Sequence, residues 1–245
     1  MERIGFSTGA LALGDFRRGL DLQRRADVQA VELSALREDE LDGLISALPT
    51  LDLAQFSFRS FHAPSQLIRL SNSELVDRLR PVAEQRLPIV VHPDIIDDFA
   101  VWRTLGSAVS LENMDQRKRV CRTAKEMEPF FENLPDARFC FDIGHARQVD
   151  PTMSIAVDLL LRFQDRLAEV HISEVNWQCR HVAISSAAVL AFWKVSTLIP
   201  NTIPIIIESL ILPEQIDKEL ETVRRCLRSE QPLLVGQSYA ELAET

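Results

Sequence analysis

All five histidines of the chain, His62, His92, His145, His171 and His181, lie at or just beyond the C-terminal end of an apolar run that reads as a β-strand. Three carboxylates, Glu112, Asp142 and Glu208, end the remaining runs of that series in the same way. The local sequences are SFHAPS, IVVHPD, VSLENMD, FCFDIGH, AEVHIS, CRHVAI and PIIIES. Neutral imidazole and carboxylate are the ligands that Zn²⁺, Mn²⁺ and Fe²⁺ prefer. A lone histidine near a buried strand is more often a hydrogen-bonded core or surface residue than a ligand. Five placed alike favour metal binding, because the strand ends of a parallel barrel gather residues from distant parts of the chain on one rim.

The elements that would position these side chains form a regular βα alternation. Apolar runs predict strands over 4–7, 30–33, 53–61, 89–91, 109–111, 138–141, 168–172 and 203–207. Between them, apolar residues at three- and four-residue spacing predict helices over 15–26, 39–48, 74–84, 117–131, 155–163, 186–198 and 215–227. The segment between His92 and Glu112 is the shortest, so its helix, over about 95–105, is expected to be abbreviated. Asp15, Asp115, Ser185 and Pro213 fit helix-start roles. Such alternation implies a parallel sheet with right-handed crossovers, and this many units favour a closed (β/α)8 TIM barrel over an open sheet. No linker, low-complexity tract or charge block divides the chain, so residues 1–245 read as a single α/β domain.

Composition narrows the function classes. A net charge of −9 excludes a uniformly basic nucleic-acid surface. The four cysteines, Cys121, Cys140, Cys179 and Cys226, show no CxxC spacing, which suggests reduced thiols in a cytoplasmic protein. The apolar patch at the N-terminus is too short to span a bilayer, so no membrane partner is expected. The four lysines, Lys118, Lys125, Lys194 and Lys218, fall in predicted helices away from strand ends, leaving no Schiff-base candidate. Among the eight glycines there is no GxGxxG or GxxxxGK[ST] motif, and no G-x-S-x-G elbow is present.

In order along the chain, the motifs HAP at 62–64, HP at 92–93, LENM at 111–114, FDIGHA at 141–146, VHIS at 170–173, RH at 180–181 and IIIES at 205–209 resemble the xylose-isomerase-like barrels. Within that superfamily the set is most similar to the apurinic-endonuclease branch typified by endonuclease IV. The resemblance implies a cluster of two or three divalent ions, Zn, Mn or Fe. His62, His92 and Glu112 would hold one ion. Glu112 would bridge to a second, completed by Asp142, His171 and Glu208. His145 and His181 would form part of a third. The aspartate that the family pattern places two residues before the last histidine is replaced by Cys179. A Cys179 thiolate would complete a softer third site; otherwise Cys179 is an ordinary loop thiol.

Electrostatics supports a cluster independently, since three carboxylates on one rim repel one another without cations. Two divalent ions would leave a positive site suited to a small anionic or sugar-like substrate. Arg180 and Arg147 are candidates for binding its anionic group, and Trp177 for stacking on a ring or capping the mouth. Asn113 and Ser209 are candidate orienters of the ligands, and Glu32 either reaches the pocket or forms a salt bridge. The leading expectation is metal-dependent phosphoester hydrolysis on a small or single-stranded substrate. The alternative is a sugar or sugar-phosphate isomerase or epimerase in which Glu112 and Glu208 exchange protons at the Glu112–Asp142–His171–Glu208 site. A third class is oxidative chemistry at multinuclear iron. Duplex DNA is disfavoured because rim loops long enough to enter a groove are not evident; a homo-oligomer is compatible with the sequence.

Overall fold

Eight parallel strands close into a barrel in the computed structural model, which describes residues 3–227. They are β1 (Ile4–Ser7), β2 (Ala30–Ser34), β3 (Phe58–His62), β4 (Ile89–Val91), β5 (Val109–Glu112), β6 (Arg138–Asp142), β7 (Leu167–Ile172) and β10 (Ile205–Ile207). Each pairs with its neighbour in chain order, and β10 closes the ring against β1. A separate antiparallel hairpin, β8 (Glu174–Val175) and β9 (His181–Val182), rises from the loop after β7. The barrel is the α/β architecture that the βα alternation implies. Strands buried on both faces carry near-continuous apolar runs such as Ile89–Val91, as a sheet covered by helices requires.

The outer layer includes α2 (Phe16–Leu22), α3 (Glu38–Ala47), α4 (Asn72–Glu84), α6 (Ala124–Asn133), α8 (Ser154–Phe163), α9 (Ser186–Ser196) and α10 (Ile216–Leu227). Asp15 and Ser185 cap α2 and α9 by accepting from Arg18 N and Ala188 N. Between β4 and β5 the helix shrinks to α5 (Phe99–Trp102) and a 3₁₀ stretch, as the short spacing required.

Several expected elements differ. The strand expected from residue 53 starts at Phe58; Leu53 and Phe56 are buried from a turn, in which Phe56 N donates to Leu53 O. The helix expected from residue 117 starts at Ala124, because Thr123 caps it by accepting from Glu126 N. Asp115 caps nothing, being ion-paired with Arg117 in a loop, and Lys118 lies in that loop and not on a helix. Two short helices follow strand ends directly, α1 (Thr8–Ala12) and α7 (Ile143–Val149). Among the described residues no helix is long and apolar enough to cross a membrane.

Candidate metal centre

The C-terminal rim gathers the ligand-type residues by strand register. His62, Glu112 and Asp142 are the last residues of β3, β5 and β6, and His171 is the penultimate residue of β7. His92 and Glu208 directly follow β4 and β10. Register places Asp142 beside His171, and His62 beside Ser34 of β2. The other two histidines arrive differently. His145 is on α7, whose N-cap Asp142 accepts from His145 N at 2.6 Å. His181 does not end a strand run as expected but opens β9 of the hairpin, with its Nδ1 2.8 Å from Ser173 Oγ.

Among the described residues five groups of ligand atoms lie within 4.8 Å of one another: His62–His92–Glu112, Glu112–Asp142–His171–Glu208 and Asp142–His145–His181 at the rim, and Glu112–Cys140–His171 and Glu32–Glu169–His171 deeper around His171. Of the three rim groups, Glu112 belongs to the first two and Asp142 to the second and third. Glu112 Oε2 is 3.0 Å from His92 Nε2 and 3.5 Å from His62 Nε2. His171 Nδ1 is 3.2 Å from Glu112 Oε1 and 3.4 Å from Glu208 Oε2. Cys179 falls outside all five groups. It adopts a left-handed backbone (φ 55°) in the hairpin turn, and its Sγ accepts from Gln148 Nε2 at 3.0 Å. Asp142 takes the place in the third group that the sequence offered to Cys179.

The donor set suits divalent ions. His62 directs Nδ1 to Ala63 O at 2.7 Å and His145 directs Nδ1 to Asn113 O at 2.9 Å, which leaves each Nε2 lone pair available. Asp142 Oδ2 is buried without a hydrogen-bond partner. Protons must otherwise answer the crowded charge. Burial opposes ionisation of His62, yet Glu32 and Glu112 raise its pKa to about 9. Burial also opposes a charge on His171, but the surrounding Cys140, Glu208 and Glu32 hold its pKa well above the usual value. Burial, together with the charges of Glu112 and Glu208, pushes Asp142 well above the carboxylate range. Burial works against a charge on Glu112 as well, but hydrogen bonds from His171, His62 and His92 keep it well below that range. Bound cations would relieve the same imbalance without protonating ligands.

The rim groups open into a cavity of about 270 Å³. Leu13, Leu36 and Leu210 supply apolar wall, and Arg117 and Lys118 are its basic lining residues. Both cations are already paired, Arg117 with Asp115 and Lys118 with Asp94 at 2.6 Å. The residues expected to bind substrate lie elsewhere. Arg147 pairs with Glu174 at 3.0 Å, Arg180 is exposed, and Trp177 is 81% exposed at the hairpin tip. None of the three is among the lining residues. Asn113 holds Asp142 by two backbone hydrogen bonds of 2.8 Å, whereas Ser209 bonds to Glu219 of α10 and not to a ligand. Beneath the ligands, Glu32 and Glu169 are fully buried around His171, and burial lifts the Glu169 carboxyl to about 7. Sequence reading passed over Glu169, although the pattern Glu169-x-His171 marks it as sharing His171's face of the strand.

No protein-family model matches the chain, and no curated protein matches it in sequence. Solved structures do. Endonuclease IV from Thermus thermophilus aligns with a TM-score of 0.58 at 17% identity, over 92% of this chain and 98% of that one. The 3-keto-D-glucoside 4-epimerase of E. coli aligns with a TM-score of 0.55 at 16% identity, over 92% of this chain and 100% of that one. SacUVDE aligns with a TM-score of 0.53 at 13% identity, over 88% of this chain and 86% of that one. At such identities the likeness speaks for the fold alone: like these three structures, the chain is a closed eight-stranded α/β TIM barrel.

Proposed function

We propose that the chain is a divalent-metal-dependent hydrolase of phosphoesters acting on a small or single-stranded substrate. The sharing of Glu112 and Asp142 among three adjacent ligand groups in one cavity carries this reading. A one-ion isomerase would use the Glu112–Asp142–His171–Glu208 group and leave His62, His92, His145 and His181 idle. Divalent ions bound there would polarise a phosphoryl oxygen, activate water and stabilise the leaving oxygen. The chain's own part is orientation. Ala63 O and Asn113 O fix the rings of His62 and His145, Asn113 pins the Asp142 backbone, and the leucine walls displace bulk water. Arg117 and Lys118, already neutralised by Asp115 and Asp94, give one phosphate group a contact but no basic strip for a duplex.

The test is elemental analysis of protein purified without chelator, combined with hydrolysis of bis-p-nitrophenyl phosphate and short single-stranded oligonucleotides. At least two ions per chain, Zn, Mn or Fe, and turnover abolished by chelation are expected. One ion or none, even after metal addition, would overturn the reading. The alternative is a sugar isomerase or epimerase, favoured by Glu112 and Glu208 sharing one ligand group. Deuterium incorporation at carbon in a sugar panel, without phosphoester turnover, would select it.

A further inference from the structure

A polar layer lies beneath the ligands, one that the hydrolytic reading does not use. Side chains alternate along a strand, so residues two positions before a ligand point to the same face. These are Ser60 before His62, Ser110 before Glu112 and Glu169 before His171, and Glu32 of β2 pairs in register with Ser60. All four are fully buried. Branched apolar side chains ordinarily fill a (β/α)8 interior, and a buried carboxylate there is costly unless its charge is answered.

Glu32 is held by a hydrogen bond on one side and faces His171 on the other. Its Oε1 accepts from Ser34 Oγ at 3.2 Å, and Ser34 Oγ is in turn 2.5 Å from the hydroxyl of Ser7 on the cavity wall. Its Oε2 is 3.1 Å from His171 Nε2, and both atoms are buried without a formed hydrogen bond. The other ring nitrogen, Nδ1, faces Glu112 and Glu208. A neutral imidazole has one N–H and one lone pair, so the two sides of the ring must take different roles. We propose that Glu32 is a positioning residue that accepts the Nε2–H of His171 and thereby commits Nδ1 to the ion of the Glu112–Asp142–His171–Glu208 group. The arrangement rests on the metal reading of that group. A carboxylate behind a ligating histidine fixes its tautomer and ring orientation and strengthens it as a donor. Glu169 stands farther off and contributes charge only, its Oε2 being 3.9 Å from Nε2.

The test is Co²⁺ titration of the metal-free full chain followed by visible absorption, with the ¹⁵N resonances of His171 read in the Zn²⁺-loaded protein. Wild type is compared with Glu32→Gln, Ser34→Ala and Glu169→Gln. Glu32→Gln is expected to weaken one ion equivalent by about 10–100-fold, to leave the others unchanged, and to shift the His171 Nε2–H signal. Ser34→Ala, which keeps the charge, is expected to weaken the same equivalent less, and it carries the test if Glu32→Gln does not fold. Glu169→Gln is expected to leave the His171 signal in place. Two results overturn the proposal: Glu32→Gln or Ser34→Ala binding every equivalent as wild type does with an unmoved His171 signal, or Glu169→Gln losing a whole equivalent, which would make the inner pocket an ion site itself. Wild type binding no Co²⁺ at all would overturn the metal reading itself, a failure distinct from either.

Discussion

The two flanks of the ligand cluster rest on different scaffolds. On one flank, His62, His92 and Glu112 sit at the ends of β3, β4 and β5, fixed by ladder pairs such as His62 with Val90 and Val91 with Leu111. On the other, His145 rides on the short helix α7, and His181 begins a two-residue strand outside the barrel. Single hydrogen bonds set these rings, His145 to Asn113 O and His181 to Ser173 Oγ. Strand ends in a closed barrel have little freedom, whereas a hairpin paired over two residues opens at low cost. Ion affinity should therefore fall across the cluster, from Glu112 towards His181.

The largest effect is expected at Glu112, which joins the two groups nearest the barrel. Glu112→Gln should deplete ions in both and reduce phosphoester turnover by at least about 1,000-fold, roughly 4 kcal/mol of transition-state stabilisation. Glu208 belongs to one of those groups. Glu208→Gln should cost one ion and about 10–100-fold in rate. Equal ion losses from the two variants would remove the bridge and, with it, the ranking of the flanks.

Complete chelation should come next. An ion present at about 1,000 times its dissociation constant adds roughly 4 kcal/mol. Its removal should lower Tm by about 8–16 °C for a chain of this length. Graded chelation followed by calorimetry sharpens the comparison, because the Asp142–His145–His181 ion should leave first with little change in Tm. A first step that carries the whole shift would place the tightest site on the hairpin flank.

The same contrast explains what could be read from the sequence. The ligand-type residues at barrel strand ends were legible because an apolar run ending in His, Glu or Asp has both a period and a stop. The barrel was legible for the same reason. Helix α7 is too short for a helical period to stand out, and a two-residue strand has none, so neither α7 nor the hairpin could be drawn. The run at 53–61 misled because Leu53 and Phe56 are as apolar as strand residues while packing from a turn. The start of α6 was signalled by Thr123-x-x-Glu126, a capping pattern outweighed by apolar spacing upstream, and that displacement hid Lys118 from view as a cavity residue. Direction was the missing information for Arg147, which turns to Glu174, and for Arg180 and Trp177, which lie outside the cavity lining.

A smaller effect is expected at His181, whose side chain keeps 23% exposure. His181→Ala should remove one ion, lower turnover by about 10-fold, and leave the strand-end ions in place. Loss of two or more ions, measured by elemental analysis, would mean that the hairpin organises the whole cluster.

The smallest effect is expected at Cys179, where sequence left two readings open. A ligating thiolate must point at the ion, and Cys179 instead accepts from Gln148 Nε2 from a left-handed turn position, outside every ligand group among the described residues. Serine preserves an acceptor for Gln148 and is small enough for the same turn. Cys179→Ser should therefore keep the ion count and change turnover by no more than about twofold, within the range of a substitution that breaks no special feature. Alkylation supplies the converse measurement, because metal protects a ligating thiolate and chelation exposes it. Equal labelling of Cys179 with and without chelator is expected in protein confirmed to hold metal. Loss of one ion in Cys179→Ser, together with chelator-dependent labelling, would return the thiolate to the third group and take Asp142 out of it. The two flanks would then differ in ligand chemistry as well as in scaffold.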